Sequence, residues 1–455
     1  MSHQRLDYEF VETSQRRAAA GDDRVRSLTQ TQEETQSEVG ADYEFAVGPG
    51  RLKLIGLYRA GDSEVDTAVT TAFAGSNLQT GDRLVRLADE VEIVGRAEYR
   101  FTRGGSDWEL SAEQAFNELD GLATLFALDD EGRYQQVALP GGDATVSEDR
   151  TSVAVGVTRA LPSAVVVQAM LGAEDSTLRY EGPVGLERNF LRPKGRVIVS
   201  WQASPRLRLN AKLERRIGQI SFFDFLASVN LADDRENAGN PNLAPPQSWD
   251  VDLEANRDFG AAGSTTVRLY GRWIEDLIDQ IPIGETGEAP GNLSEATVYG
   301  VEWKSTVDLT RMGWTGARVD TLVQLQTSDV WDPITGRNRR ISNNLDRSLE
   351  LALRHDVPGT NWAWGGRVFE LRRAPDFRLG ETAEYYGSGV TADLYAERKN
   401  LFGLTVRATV SNAIGGEQNL DRTVYVGRRD GPVLFEERRR REIGPTVSLA
   451  LMGRF

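Results

Sequence analysis

Four carboxylates alternate along the stretch 249–259, which reads WDVDLEANRDF: Asp250, Asp252, Glu254 and Asp258. Carboxylates grouped in this way could bind a divalent cation or act as a general acid and base. In an extended strand, however, side chains two residues apart are separated by about 7 Å, too far to chelate one ion without further ligands. A row of charges on the water-facing side of a strand explains them better, and we expect no metal ligand and no catalytic residue here.

Other residues suited to chemistry are few. The chain has two histidines, His3 and His355, and no cysteine, which argues against a thiolate metal site and a His-rich centre. The arginine-rich stretches 336–340 (GRNRR) and 436–442 (EERRRRE) could bind an anionic ligand or lipopolysaccharide phosphates, or could be solvated loop charge. No glycine-rich loop precedes a helix, as a phosphate-binding loop would. We therefore expect neither an enzyme nor a bound cofactor.

Composition narrows the class of protein further. The chain has 455 residues and a net charge of −15, without a basic stripe, which argues against nucleic acid as a partner. No apolar run approaches the roughly 18 residues of a membrane helix, but strands of a membrane barrel would show no such run. The first residues, MSHQRLDYEFVETSQRR, contain no basic segment followed by an apolar one, so this stretch does not read as a signal peptide.

Alternation of apolar and polar residues dominates the chain. In 206–216 (RLRLNAKLERR), Leu207, Leu209 and Leu213 share one face of a strand, and Arg208 and Lys212 share the other. The same pattern recurs from residue 91 to the last residue. Since Arg or Lys at the midplane of a membrane barrel costs about 2–4 kcal/mol, the leucine face is the one expected to meet lipid. The polar face would then line the lumen, and our lumen-facing candidates are Asp250, Asp252, Glu254, Arg268 and Arg272.

Connections between the alternating segments are short and long in turn. Tight turns are predicted near 47–51, 102–106, 161–164, 203–206, 258–264, 356–360 and 399–403, and long polar loops at 117–147, 217–246, 275–295, 328–346 and 412–440. Short turns at one end and long loops at the other are typical of an outer-membrane barrel. We predict an all-β fold, an antiparallel transmembrane β-barrel with about 18 strands of roughly 10–15 residues. The alternative is a soluble antiparallel sandwich, which also alternates.

Several motifs in the second half of the chain resemble those of TonB-dependent outer-membrane receptors. The segment 237–246 (NAGNPNLAPP) resembles the family's loop motif GNPxLxPE through Gly239, Asn240, Pro241 and Leu243, although Pro246 stands where the family usually has Glu. The stretches 270–281 (YGRWIEDLIDQI), 292–304 (NLSEATVYGVEWK) and 405–416 (TVRATVSNAIGG) resemble barrel strands of the same family, in the same order.

The C-terminus resembles the family's barrel-assembly signal. The chain ends in VSLALMGRF, in which Val447, Leu449, Leu451 and Phe455 fall on one side of an extended strand. The resemblance implies that the barrel-assembly machinery recognises this strand, which would then pair with the first strand to close the barrel.

The resemblance also implies a location and a function. Receptors of this kind have 22 strands and a plugged lumen, so we expect residues 1–455 to be a single barrel domain, N-terminally incomplete, without the plug or the signal peptide. The implied function is outer-membrane uptake of a scarce solute such as a ferric siderophore, with TonB as a partner only if an upstream plug exists. Alternatives are a plugless, porin-like diffusion channel or a soluble β-rich binding module. The long loops at 117–147 and 217–246 could fold inward and narrow the pore, but because they are polar we expect them to stay at the rim and the lumen to conduct ions.

Overall fold

A computed structural model describes residues 2–16, 23–74, 79–233, 235–284, 287–386 and 389–453. One antiparallel sheet of 20 strands dominates it. Its wall consists of β1 (Ser2–Arg16), β2 (Arg24–Val47), β3 (Gly50–Phe73), β4 (Gln79–Arg103), β5 (Ser106–Leu128), β7 (Asp143–Leu161), β8 (Val165–Glu181), β9 (Leu186–Ser204), β10 (Leu207–Ile217), β13 (Gln247–Asp258), β14 (Gly263–Ile283), β15 (Gly287–Asp308), β16 (Ala317–Asp332), β18 (Leu345–Asp356), β19 (Trp362–Arg373), β22 (Val390–Leu401), β23 (Leu404–Ser411) and β26 (Thr446–Met452).

Shorter elements lie in the connections. Two of them, β6 (Tyr134–Val137) and β17 (Arg337–Arg339), join the main sheet beside the ends of β5 and β16. A two-stranded sheet is formed by β11 (Ser228–Asn230) and β12 (Arg235–Asn237), and a four-stranded sheet by β20 (Asp376–Phe377), β21 (Glu381–Tyr386), β24 (Glu417–Tyr425) and β25 (Val433–Glu442). Short 3-10 turns occupy Pro162–Ala164, Phe222–Phe225, Gly260–Ala262 and Leu309–Met312. No helix in the described part of the chain is both long enough and apolar enough to cross a membrane.

Each wall strand pairs with the next wall strand along the chain, so the sheet is an antiparallel meander. Its 18 wall strands agree with the number predicted from the alternation. Among the described residues, β1 pairs only with β2 and β26 pairs only with β23. The expected ladder between the last strand and the first is therefore not formed, and the sheet is not closed.

Tight turns join the wall strands at one end, close to the predicted positions. In the turn between β4 and β5, Gly104 and Gly105 have φ angles of +62° and +73°. Two successive positive φ angles define the two-residue turn whose twist matches a β-hairpin, and glycine adopts them without a steric penalty. The register runs directly from this turn, with Arg103 opposite Ser106.

The two faces of the wall differ sharply in composition. On β13, Leu253 is 51% exposed on the outer face, whereas Asp250 on the inner face is 4% exposed. Neighbouring strands continue the apolar outer face, because Leu253 lies opposite Leu269 and Leu269 lies opposite Val301. A soluble sandwich would bury such a face against a second sheet, whereas here the leucines remain uncovered. The apolar face is therefore the uncovered face of the wall; that it meets lipid stays a prediction.

Several predicted loop boundaries are wrong. The segments 117–147 and 275–295 are largely strand, because β5 continues to Leu128, β7 begins at Asp143, and β14 and β15 are separated only between Ile283 and Gly287. Seven of the first nine strands run for 17–25 residues, longer than predicted and longer than the 9–11 residues that span a bilayer. His3 lies in β1, with Nδ1 3.0 Å from Ser37 Oγ.

Candidate functional site

The inner face of β10, β13 and β14 carries a ladder of opposite charges. One Asp252 oxygen lies 3.0 Å from Lys212 Nζ and the other 3.6 Å from Arg268 Nη1. Asp250 lies 3.8 Å from Arg272 Nε. These contacts bring together four of the five residues that the sequence proposed as lumen-facing. Ion pairs near water each contribute only about 0–1 kcal/mol, so the ladder chiefly keeps this wall polar and locally balanced.

Glu254, the fifth candidate, accepts a hydrogen bond of 3.0 Å from Asn210 Nδ2 on the same face. Beside it, the ring of Tyr270 lies between two guanidinium groups, with Arg268 Cζ at 4.7 Å and Arg272 Cζ at 5.7 Å from its centroid. The Tyr270 hydroxyl donates to Gln326 Oε1 at 2.7 Å. The five residues thus share one polar face; their contact with a transported solute stays a prediction.

Residues 218–246, which we call the inward loop, fold back over the inner face of the wall. Residue 234 lies outside the described residues. The two ends of the inward loop are adjacent, because the Gly218 amide donates to the Pro246 carbonyl at 2.7 Å. This loop was predicted to be polar and to stay at the rim, and that prediction is wrong. Its buried apolar side chains are Phe225, Leu226, Ala227, Leu231 and Leu243.

These side chains pack in two places on the inner face. Phe225, Leu226 and Leu243 lie in one cluster with Leu119, Val146, Leu178 and Tyr180 of β5, β7 and β8. Leu231 lies in another cluster with Leu28, Val69 and Leu84 of β2, β3 and β4. The inner face of a transmembrane barrel is normally polar, so apolar side chains at these inner positions are explained by the loop that covers them. Full burial of one such side chain contributes about 1.5–3 kcal/mol.

The motif GNPxL lies inside this inward loop. Gly239 has φ +71°, and a Cβ there would come within 2.5 Å of the Phe225 carbonyl oxygen, so only glycine fits. Asn240 Oδ1 accepts from the Asn242 amide at 2.9 Å while its Nδ2 donates to the Pro290 carbonyl at 2.9 Å. Leu243 is fully buried. Pro241, between these residues, begins the turn at 241–242. Together the motif residues hold the loop against β15.

Arginines from the remaining long loops converge on this inward loop. Arg378 donates from Nη2 to the Glu236 carbonyl and to Asn237 Oδ1, both at 3.0 Å. Arg439 donates to Asp233 Oδ1 at 3.0 Å, and Arg422 donates to the Asp233 carbonyl at 3.0 Å. Arg378 comes from the segment between β19 and β22, and Arg422 and Arg439 come from the segment 412–445 between β23 and β26.

A buried ion pair fixes this segment to the wall. Asp332, at the end of β16, is 1% exposed and accepts from both terminal nitrogens of Arg429, at 2.7 and 2.9 Å. Removing one partner of such a pair typically costs about 3–5 kcal/mol, because the other charge is left buried and uncompensated. The pair is therefore a strong constraint on where the loop after β24 can lie.

Two further groups in the four-stranded sheet have shifted pKa values. Burial and, next in importance, the nearby Asp233 carboxylate together raise the pKa of Tyr385 to about 12. Burial likewise raises the pKa of Asp376, although Arg235 and Arg378 act in the opposite direction. Tyr385 donates to Asp233 Oδ2 at 3.1 Å. The hydroxyl therefore stays protonated over the physiological pH range and keeps donating to Asp233.

The two arginine-rich stretches do not form one anion site. In the stretch 336–340, Arg339 is buried, donates to Asp279 Oδ2 at 2.9 Å and lies 4.8 Å from the centroid of Phe377. In 436–442, side chains alternate: Arg439 contacts the buried Asp233, and Arg438 contacts the half-buried Asp421. These contacts join loops to one another, which the sequence could not reveal because the partners are far apart in the chain. In the described part of the chain, no group of three or more candidate ligands is placed to hold a metal ion.

The C-terminal strand exposes its apolar face. Val447, Leu449 and Leu451 are 77%, 69% and 65% exposed. They lie opposite Val410, Ala408 and Val406 of β23, respectively. Phe455 lies outside the described residues. Recognition of this strand by an assembly machinery stays a prediction.

Comparisons with known proteins give the same fold. No protein-family model matches the chain, and no curated protein matches it in sequence. Among solved structures, the FrpB iron transporter from Neisseria meningitidis (F5-1 variant) aligns with a TM-score of 0.59 and 10% identity over 98% of this chain and 81% of that chain. The siderophore receptor PiuA from Acinetobacter baumannii aligns with a TM-score of 0.58 and 10% identity over 99% and 80%.

The copper transporter OprC aligns with a TM-score of 0.54 and 12% identity, over 90% of this chain and 74% of that chain. These three solved structures are TonB-dependent receptors. Identities this low establish the fold alone. Together with the meander of 18 wall strands and its apolar outer face, the alignments confirm the predicted fold class. The chain has the β-barrel fold of TonB-dependent receptors.

Proposed function

We propose that this chain is the barrel of an outer-membrane transporter. The observation that carries the proposal is the pair of faces on one wall: apolar side chains uncovered on the outside and paired charges on the inside. An apolar band suits lipid, and a polar lumen suits a water-soluble solute. Trp249 near the start of β13 and Phe259 directly after its end flank the apolar face and are 44% and 45% exposed. Aromatic residues prefer the interfaces of a bilayer.

For the substrate class we propose a scarce solute such as a ferric siderophore. The structural neighbours named as iron transporter, siderophore receptor and copper transporter support this class. In this proposal the solute binds among the long loops and crosses the lumen when energy is supplied through TonB. No covalent bond is made or broken, so the protein is a transporter and not an enzyme.

The test is uptake in a strain that lacks its own siderophore receptors. The chain is fused to a signal peptide and a plug domain from a known receptor, and uptake of radiolabelled iron is measured with a panel of ferric siderophores. We expect uptake with at least one siderophore and its loss in a strain without TonB. Absence of uptake and of binding for the whole panel, with the barrel folded in the outer membrane, would refute this substrate class.

The second candidate is a porin-like diffusion channel, favoured by one observation. The described residues form 18 wall strands, a number found in porins, whereas outer-membrane transporters of the 22-strand type have a larger, plugged barrel. Swelling of liposomes that contain the purified chain separates the two functions. A channel admits small sugars without TonB and without saturation, whereas a transporter barrel shows saturable binding of one solute.

For assembly, we propose that β26 is the strand recognised by the barrel-assembly machinery. Its exposed apolar face, Val447, Leu449 and Leu451, supports this role. The localisation that follows is the outer membrane, with lipid around the apolar band. Crosslinking from an engineered photoreactive residue in β26 to the assembly machinery during insertion would test this partner.

A further inference from the structure

The inward loop reaches across the sheet. It leaves the wall between β10 and β13, where the Pro245 carbonyl accepts from Arg192 of β9 at 2.6 Å. At its far point the Ala232 carbonyl accepts from Arg26 of β2 at 3.0 Å. Five wall strands, β3, β4, β5, β7 and β8, lie between β2 and β9. The loop therefore extends over the inner face of about a third of the wall.

Both contacts of the loop with the wall are specific. The Leu231 carbonyl also accepts from Arg26, and the Leu243 carbonyl accepts from Arg188 of β9 at 2.8 Å. Between these polar contacts lie the two apolar clusters already described, which bury Phe225, Leu231 and Leu243. A loop that merely rested on a rim would keep such side chains out of the inner face. This one has its own docking surface there.

A second set of contacts joins the inward loop to the four-stranded sheet. Arg439 binds the Asp233 carboxylate, Arg422 binds the Asp233 carbonyl, and Tyr385 donates to the same carboxylate. Asp233 is 9% exposed. The three partners belong to β25, β24 and β21, all in the four-stranded sheet above the wall. This sheet is itself held to the wall through Arg429 and Asp332.

We propose that the inward loop is a gate that occludes the lumen at the long-loop end, held shut by Arg439 and Arg422 on Asp233. The proposal rests on the proposed transport function, since a gate needs a lumen. This proposal revises the expectation of an open, ion-conducting lumen. The buried apolar side chains of the inward loop hold it against the inner face, and the arginines keep it there until the four-stranded sheet moves. A solute that displaced Arg439 from Asp233 would release the loop.

Two variants test the gate in planar bilayers, using the purified full chain refolded in detergent. In the first, residues 219–245 are replaced by Asn-Gly; the adjacent ends at Gly218 and Pro246 permit this without stretching β10 or β13. We expect rare openings from the native chain and a steady large conductance from the shortened one. Equal conductance of the two, or a folded shortened barrel that stays silent, would overturn the proposal.

The second test uses two neighbouring arginines that face opposite ways. Arg439→Ala removes the contact with buried Asp233, whereas Arg438→Ala removes only the pair between the exposed Arg438 side chain and Asp421. We expect Arg439→Ala to raise the open probability at least about tenfold and Arg438→Ala to leave it unchanged. Equal effects of the two variants would refute the role of Arg439 in holding the gate shut. This comparison also tests the gate if the shortened chain does not fold.

The gate and the transport proposal can fail separately. Conductance needs no siderophore and no TonB, so the expected difference between Arg439→Ala and Arg438→Ala would support the gate even if every ferric siderophore failed to bind. In that case only the substrate class would fall. Conversely, siderophore uptake with identical conductances of all variants would leave the transporter and remove the gate.

Discussion

The substitution Leu253→Arg tests which face of the wall meets lipid. Leu253 lies on the outer face of β13 between Ala211 of β10 and Leu269 of β14. It is four residues from Trp249 and six from Phe259, so it lies near the middle of the 11-residue apolar face, a length that matches one bilayer crossing. An arginine here could reach neither interface easily.

The size of the destabilisation expected from Leu253→Arg follows from this depth in the bilayer. Arginine at the midplane costs about 2–4 kcal/mol, which lowers the folding equilibrium constant about 30- to 700-fold, since each 1.4 kcal/mol is a factor of ten. The matched control is Asp252→Asn, the adjacent residue on the opposite face. It loses the ion pair with Lys212 but adds no charge, and such half-exposed pairs contribute about 0–1 kcal/mol. Asp252→Arg would be a poor control, because it would add a third cation beside Lys212 and Arg268.

The assay is refolding into lipid vesicles across a urea series. Folded fraction is read from heat-modifiable migration on gels, and tryptophan fluorescence gives an independent midpoint. We expect Leu253→Arg to unfold at a much lower urea concentration than the native chain and Asp252→Asn to unfold close to it. If both variants unfolded at the native midpoint, or if Asp252→Asn were the weaker one, the assignment of the two faces would be refuted.

Three further predictions concern the loops and the terminus. Gly239→Ala should undock the inward loop, because the new Cβ meets the Phe225 carbonyl, and faster proteolysis within the loop should report it; Gly185→Ala, with open space and no positive φ, should behave as native. The pKa of Glu437 is lowered below 4.5, since Arg422 and Arg439 outweigh its burial. A carboxylate whose pKa is lowered in the folded state stabilises that state above its unfolded pKa, and this stabilisation is lost as the pH falls through the folded-state pKa. The strand β25 should therefore become protease-sensitive only below pH 4.5, and Glu437→Gln should remove that dependence. Leu449→Asp should slow insertion in pulse-chase assembly while folded barrels keep their urea midpoint; unchanged kinetics would contradict the role of β26.

How much the sequence predicted depends on the range of the interaction. Strand faces were predictable because alternation is local, as in 206–216, and tight turns were predictable from Gly104 and Gly105. Strand ends were not, because a stretch such as 275–295 is largely polar and its few apolar residues do not keep a regular alternation. The Arg429–Asp332 pair was out of reach, because its partners are 97 residues apart and nothing local marks either one.

The inward loop also went unrecognised for a physical reason. Its buried side chains are scattered among polar residues in 218–246, without the period of a strand or a helix. Their partners, such as Leu119 and Val146, were read as part of a polar loop at 117–147. Only the register of β5 with β7 shows that these residues share the inner face.

The contact between Arg26 and the inward loop bears on the order in which the molecule is assembled. Arg26 and Ala232 are 206 residues apart, and the contact of Arg441 with Glu12 of β1 joins residues 429 apart. Contacts between such distant residues form slowly, because a long stretch of chain must first be brought together. If insertion begins at β26, the strands β2, β3 and β4 join the sheet last. Only then can the inward loop pack against Leu28 and Val69. Docking of the inward loop would thus show that the whole sheet has been inserted, because in an incomplete sheet the loop stays undocked. A protease that cuts the undocked loop would remove molecules whose assembly stops before their first strands are inserted.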